Sequence, residues 1–452
     1  AYGDLELLIG AWAALTVFLI PQASRMAIDL LGPDPSPAVH WLVVFGVVFV
    51  TLLPATAAMG ATFPALERLL AGGSRVGILY GANTAGGMAG LLLSVFWLMP
   101  RFGIAQSILV LAGLNLMCGF LATILSRAPA TSNTRPAVRG EWWLGGRLLA
   151  AGFLGLGFET AMIRGLSLTL ENTVFTFAAL LAVYLGANAA GAALQTRWRL
   201  REEWLFAALG LACLASGLLL RGVPELYPAL RDRLGASLGG VAASEMLASA
   251  LVMFLPALVM GATFAALAEK SLQSKPNLSW SLALNTSGAA LAPFVFGLLL
   301  LPNAGLNGSL ALTAAGYAAL AGRSRPLLAL ILVPVLFPLL PAGSDLLRLA
   351  EGERIIFHQD GALASTSVLE STNGNRVLKV NNRFQQGGTA ARAAAERHAY
   401  LPLLLHPDPR RALFIGLGTG ITFGAANHFP NLQAEAVELL PEVVEAASFF
   451  GE

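Results

Sequence analysis

The chain has 452 residues, of which 56% are hydrophobic and only 12% charged. Soluble domains carry about 25% charged residues, so the composition excludes an ordinary cytosolic enzyme, a disordered chain and a disulfide-knit secreted domain. A formal net charge of +2 implies no polyanion partner such as nucleic acid, and the partner that the composition does imply is the lipid bilayer.

The chain opens at Ala1 almost directly into an apolar segment. Stretches long enough to cross a bilayer, about 20 residues, are predicted near 4–22, 40–66, 76–99, 103–126, 148–168, 173–195, 204–220, 243–268, 277–301 and 305–322. Cys118 and Cys213 fall inside these stretches and read as small core residues. The histidines at 40, 358, 398, 406 and 428 have no metal-ligand spacing, so no metal site is expected.

An internal repeat organises this region. Met59-Gly60-Ala61-Thr62-Phe63 recurs as Met260-Gly261-Ala262-Thr263-Phe264, an offset of 201. Asn83-Thr84 recurs as Asn285-Thr286, and Pro100 and Gly103 recur as Pro302 and Gly305, at an offset of 202. The expected fold is therefore an α-helical polytopic membrane domain of two parallel six-helix repeats. The first occupies 1–126 without its two opening helices, a basic loop occupies 127–147, and the second spans 148–325. Two copies with an even number of helices insert in the same orientation, the arrangement of major-facilitator transporters. Asn83-Thr84, Asn285-Thr286 and the nearby Gly86, Gly87 and Gly288 are expected to let helices pack closely.

Basic loops at Arg68–Arg75, Arg127–Arg147, Arg197–Arg201, Lys270–Lys275 and Arg323–Arg325 alternate with connections poor in basic residues, except a mixed-charge loop at Arg221–Arg233. By the positive-inside rule the basic loops face the cytoplasm. Within the membrane, Glu159 and Arg164 stand out, because charges at membrane depth are costly unless paired or functional. Five residues apart they sit about 140° apart around a helix, so each is expected to meet its own partner.

A short apolar segment and linker cover 326–350, with 14 uninterrupted apolar residues at Leu327–Leu340. If this segment spans the bilayer, the residues from Glu351 onward lie outside the cytoplasm; if it is re-entrant, they lie inside. A cofactor-binding fold favours the cytoplasm.

From about Glu351 charges return and a soluble domain begins. Strand-like runs at Ala362–Glu370 and Arg376–Asn381 flank Thr372-Asn373-Gly374-Asn375, which predicts a hairpin with a type I′ turn at Asn373-Gly374. This β-hairpin region covers 351–409, and 410–452 reads as a Rossmann-like nucleoside-binding unit that breaks off, as in an excerpt of a longer protein. There the apolar run Ala412–Ile415 enters Gly416-Leu417-Gly418-Thr419-Gly420, a helical stretch reaches His428, and a second strand Ala434–Leu439 carries Glu438. Glycines let the backbone approach a ligand, and an acid ending the next strand can accept ribose hydroxyls.

The segment Phe357-His358-Gln359-Asp360, the hairpin, Gln385, Tyr400-Leu401-Pro402-Leu403 and His406-Pro407-Asp408-Pro409-Arg410, leading into the glycine loop, resembles the start of a spermidine synthase. The membrane part resembles the multi-helix segment fused ahead of such domains in many bacterial proteins, which implies the bacterial inner membrane. The resemblance implies that Gln359 and Gln385 contact an aminopropyl donor, decarboxylated S-adenosylmethionine or a related adenosyl nucleoside, and that Gly416, Gly418, Gly420 and Glu438 bind its nucleoside. The departures concern the amine end. Ala390, Ala394 and Ala395 stand where the family usually has Asp, Tyr and His or Gln, and Thr419 stands where its loop usually has Asp. An ammonium needs carboxylates, so the small amine acceptor is expected to be altered or lost. The function implied is a membrane-tethered aminopropyltransferase or related transferase. The alternatives are a major-facilitator-like transporter, or a structural subunit of a membrane complex with a non-catalytic domain.

Overall fold

The computed structural model describes residues 2–33, 35–69, 76–125, 142–274, 278–322 and 337–451. The helices are α1 (Tyr2–Leu31), α2 (Pro37–Leu69), α3 (Val76–Leu93), α4 (Met99–Leu125), α5 (Trp142–Ser167), α6 (Val174–Trp198), α7 (Glu202–Leu220), α8 (Val223–Leu234), α9 (Leu238–Ser274), α10 (Leu278–Val295) and α11 (Leu301–Leu320). Among the described residues, eight helices are long and apolar enough to cross a bilayer, the architecture of a multi-pass membrane protein. Large side chains that water would not tolerate in such density lie exposed along them, including Leu42 at 74% and Val50 at 67%.

Two of the eight, Val76–Leu125 and Leu278–Leu320, each contain two of the expected stretches. The longer would reach about 75 Å if straight, against a hydrocarbon core of about 30 Å. Each is broken by a glycine in a conformation closed to other residues, Gly103 at φ 72° and ψ 177°, and Gly305 at φ 66° and ψ −174°. A π-helical turn precedes each break, at Ser94–Leu98 and Phe296–Leu300, where the Met99 and Leu301 amides reach back to Ser94 and Phe296. Pro100 and Pro302 come directly after; a proline has no N–H to offer and its ring crowds the preceding turn, which widens.

The described chain divides into two compact units. In the first, Gly77 and Gly81 of α3 lie against the Ala192 and Ala189 backbone of α6, and Gly261 of α9 lies against Asn188. Tyr80 bridges rings, with Phe264 at 4.5 Å and Phe63 at 5.9 Å. In the second, Gly152 and Gly288 bring α5 and α10 into backbone contact, so the close packing expected around Asn285 is present. Around Gly86 and Gly87 nothing among the described residues lies within 4 Å of where a Cβ would stand, so the close packing expected there is not seen among them. Phe206 of α7 stacks on Tyr317 of α11, and Gly210 faces the Ala314 carbonyl.

The soluble part belongs to the second unit. Strands β1 (Arg354–Asp360), β2 (Ser365–Glu370), β3 (Arg376–Val380) and β4 (Phe384–Gly388) form an antiparallel sheet in sequence order. Then come α12 (Arg392–Leu405), β5 (Arg411–Ile415), the one-turn α13 (Ile421–Gly424), β6 (Gln433–Val437) and α14 (Pro441–Ala447), with β5 and β6 paired in parallel. Val368, Leu378, Val380, Ile421, Val443, Ala446 and Phe450 make the core between the first sheet and α14. The parallel pair leaves Ile415 at 89% and Val437 at 59% exposure.

The hairpin turn differs from expectation. Only Gly374 takes positive φ, closing on the Ser371 carbonyl at 2.9 Å, while the Asn373 side chain accepts the Asn375 amide. The pair at positive φ is instead Asn381 (48°) and Asn382 (53°), between β3 and β4, where the Arg383 amide closes the turn on Val380. Asparagine tolerates this region because its side chain bonds locally. Of the stretch 326–342, residues 326–336 lie outside those described, as do 70–75, 126–141, Lys275 and Arg323–Arg325 of the basic loops. The mixed-charge loop is the helix α8.

Candidate functional site

The glycine loop leaves β5 with Gly416, Gly418 and Gly420 at φ 88°, 55° and 74°, a path that side chains would strain. The Gly416 amide bonds the Val437 carbonyl of β6 at 2.8 Å, which ties the loop to the next strand. Glu438 comes directly after that strand. Its Oε2 accepts the amides of Leu417 (2.8 Å) and Gly418 (3.2 Å), and its Oε1 accepts those of Leu439 (2.7 Å) and Leu440 (3.2 Å). Burial alone would raise its pKa, but these four amides together hold the carboxyl below the usual range. The acid and the loop thus form one unit, with the anion of Glu438 in the nest of loop amides.

The end of β4 adjoins this loop. A Cβ on Gly418 would stand 3.2 Å from the Gln386 carbonyl, and one on Gly387 would stand 3.3 Å from the Thr419 methyl. Gln385, the residue before Gln386, is exposed on β4 opposite Lys379. Gln359 is exposed on β1, at the other edge of the four-stranded sheet, opposite Thr366. Three strand spacings, about 14 Å across a flat sheet, separate the two glutamine-bearing strands. Ala390 and Ala394 are exposed, Ala395 packs beside the Ile421 cluster, and Thr419 is buried. These four positions offer no carboxylate to an ammonium.

In the membrane helices, Glu159 is 7% exposed on α5 and has no hydrogen bond or ion pair among the described residues. Arg164 meets the soluble domain and not another helix. From the last turn of α5 its guanidinium donates to the carbonyls of Gly361 (3.0 Å) and Ala362 (2.7 Å), in the turn between β1 and β2. Asp360 lies beside this contact. Burial would raise its pKa, but His358, the Ser365 hydroxyl at 2.5 Å and the charge of Arg164 hold it low.

Sequence reasoning did not find a second contact. Glu171, in the α5–α6 turn, accepts Tyr227 Oη at 3.0 Å and Arg231 at 2.6 Å from α8 and pairs with Arg383 of the β3–β4 turn. Asn382 donates to the Leu168 carbonyl at 3.1 Å, and Arg221 bonds Asp345 of the linker at 3.2 Å. Arg221 and Arg201 flank opposite ends of α7, so the linker stands about 28 Å along that helix from Arg201. The signal for α8 was Val223, Tyr227 and Leu230 at helical spacing within a charged stretch.

No family model, curated protein or solved structure matches the chain.

Proposed function

We propose that this membrane protein carries an adenosyl-nucleoside-binding domain of spermidine synthase type, acting as a tethered transferase whose amine end is altered or lost. Decarboxylated S-adenosylmethionine or a relative is the proposed co-substrate. The observation that carries the reading is the contact of Glu438 with the Leu417 and Gly418 amides, which joins the strand-end acid and the glycine loop beside β4. Transfer to an amine needs in-line positioning and a proton acceptor, and the alanines at 390, 394 and 395 argue for an acceptor other than a diamine. Calorimetric titration of the purified full chain with an adenosyl thioether tests this. Saturable binding, weakened in Glu438→Ala, supports it; no binding by the unmodified protein overturns it.

A second reading has its own support. The π-turns and glycine breaks recur at the 202-residue offset of the sequence repeat, which favours two copies of one unit and a transporter-like or structural membrane part. In addition, the linker lies at the end of α7 away from Arg201. If the basic loops are cytoplasmic, this geometry favours a soluble domain on the other face, away from the adenosyl-nucleoside pool and against the cytoplasmic expectation. Thr372→Cys, with Cys118 and Cys213 replaced, separates the readings through a membrane-impermeant maleimide. Labelling of intact cells favours a transport or assembly role; labelling only after lysis favours the transferase.

A further inference from the structure

A cleft of about 360 Å³ opens where the α5–α6 turn, α8, the 346–348 segment and the β3–β4 turn meet. Its size is at the lower end for small-ligand sites. Four cations line it, Arg231, Arg348, Lys379 and Arg383, with Asp232 the single acid of the lining. Glu171, outside the lining, binds both Arg231 and Arg383. Asp232 and Glu171 thus offset two of the four charges. Arg348 and Lys379 have no ion pair among the described residues, although they come from separate elements and line one cavity.

The walls also hold unsatisfied polar atoms. Thr169 Oγ1 and Asn382 Oδ1 are buried without a hydrogen-bond partner among the described residues. Asn382 is fixed there by its positive-φ turn and by its bond to the Leu168 carbonyl. A surplus of cations calls for an anion, and paired hydroxyl-seeking atoms call for a ligand that also carries hydroxyls. Leu168 and Thr169 come directly after the apolar span that ends at Ser167, so the cleft adjoins the end of a membrane helix.

We propose that this cleft binds a polyol phosphate ester, its phosphate held by Arg348 and Lys379 and its hydroxyls turned to Thr169 and Asn382. Charge-assisted bonds of this kind are the strong ones. The same chemistry is offered by a glycerol phosphate in solution and by the headgroup of a phosphatidylglycerol lipid at the bilayer rim. The site is separate from the glycine loop and does not depend on the transferase reading.

The test uses the full chain in nanodiscs of phosphatidylcholine with and without phosphatidylglycerol, read by native mass spectrometry, and titration of the detergent-purified protein with glycerol 3-phosphate. The unmodified protein is expected to bind one of these over phosphatidylcholine. Arg348→Gln/Lys379→Gln is expected to weaken that binding about tenfold or more, while Arg410→Gln, on an exposed loop, leaves it unchanged. Asn382→Asp keeps a residue that tolerates the turn but adds a negative charge, and is expected to weaken binding as well. Phosphatidylglycerol retention identifies a lipid site, and glycerol 3-phosphate binding alone identifies a soluble ligand. Binding of neither, or equal binding by all variants, overturns the proposal.

Discussion

Arg164 and Gly361 are 197 residues apart in the chain, yet the guanidinium of one donates to the carbonyl of the other at 3.0 Å. A charge at the end of a membrane helix is thereby hydrogen-bonded by backbone oxygens of the soluble domain, with the carboxylate of Asp360 nearby. The cost of taking this cation from water is offset only while that turn stays docked.

Arg164→Gln should therefore loosen the turn. Bonds from a charged donor contribute about 1.5–3 kcal/mol each, and the substitution shortens the donor as well as neutralising it. Faster hydrogen exchange at residues 361–364, with exchange at β5 unchanged, is the expected outcome. Equal protection in both proteins would show that the contact carries no docking energy.

Glu171 gathers Tyr227, Arg231 and Arg383 on one carboxylate. Glu171→Ala leaves two guanidinium groups and a hydroxyl facing each other, at a cost of about 2 kcal/mol or more. Thermal melting should fall more for this variant than for Glu203→Ala, whose partner Arg201 is 74% exposed. A melt indistinguishable from that control would remove Glu171 from the docking contact.

Glu438 predicts a pH dependence with a definite sign. Its folded-state pKa is lowered, so its contribution is present above the ordinary carboxylate range and is lost as pH falls through the folded value. Amide exchange at Leu417 and Gly418 should accelerate on acidification beyond its intrinsic pH dependence. In Glu438→Gln the exchange should be fast at neutral pH and lose the extra component. A Gln variant that keeps the acid-dependent step would assign it to another group.

Gly103 and Gly305 occupy a backbone region that is in effect closed to L side chains. Each change to Ala should cost about 1–3 kcal/mol from the backbone alone, since among the described residues nothing lies within 4 Å of the Gly103 position and the Asn307 side chain alone comes near Gly305. Similar losses of thermal stability in both are expected. A neutral Gly103→Ala would mean that the break is not required for the fold.

The parts of the fold that were readable in the sequence were those set by local chemistry. Apolar length marked the helices, and the return of charge near Glu351 marked the start of the strands. The boundaries expected between 99 and 103 and between 301 and 305 fall at the breaks at Gly103 and Gly305. In the candidate site, the glycine loop and Glu438 were legible because the parallel strand pair fixes their spacing. The rest was hidden because it depends on tertiary contact. Arg164 read as a membrane charge seeking a helix, but its acceptors are backbone carbonyls, which have no residue signature. Asn373-Gly374 carried the stronger turn signal, yet the type I′ signature went to Asn381-Asn382, where the register of β3 against β4 leaves only a tight connection.

The two-stranded parallel pair has a wider consequence. Leu413, Ile415 and Val437 lie open on it, an exposed apolar face on the paired strands. Parallel strands are ordinarily covered on both faces, so an open apolar face here is a surface on which other apolar surface can settle. In a protein of these 452 residues, a charged substitution at Ile415 or Val437 is expected to lower self-association, read as a fall in light scattering.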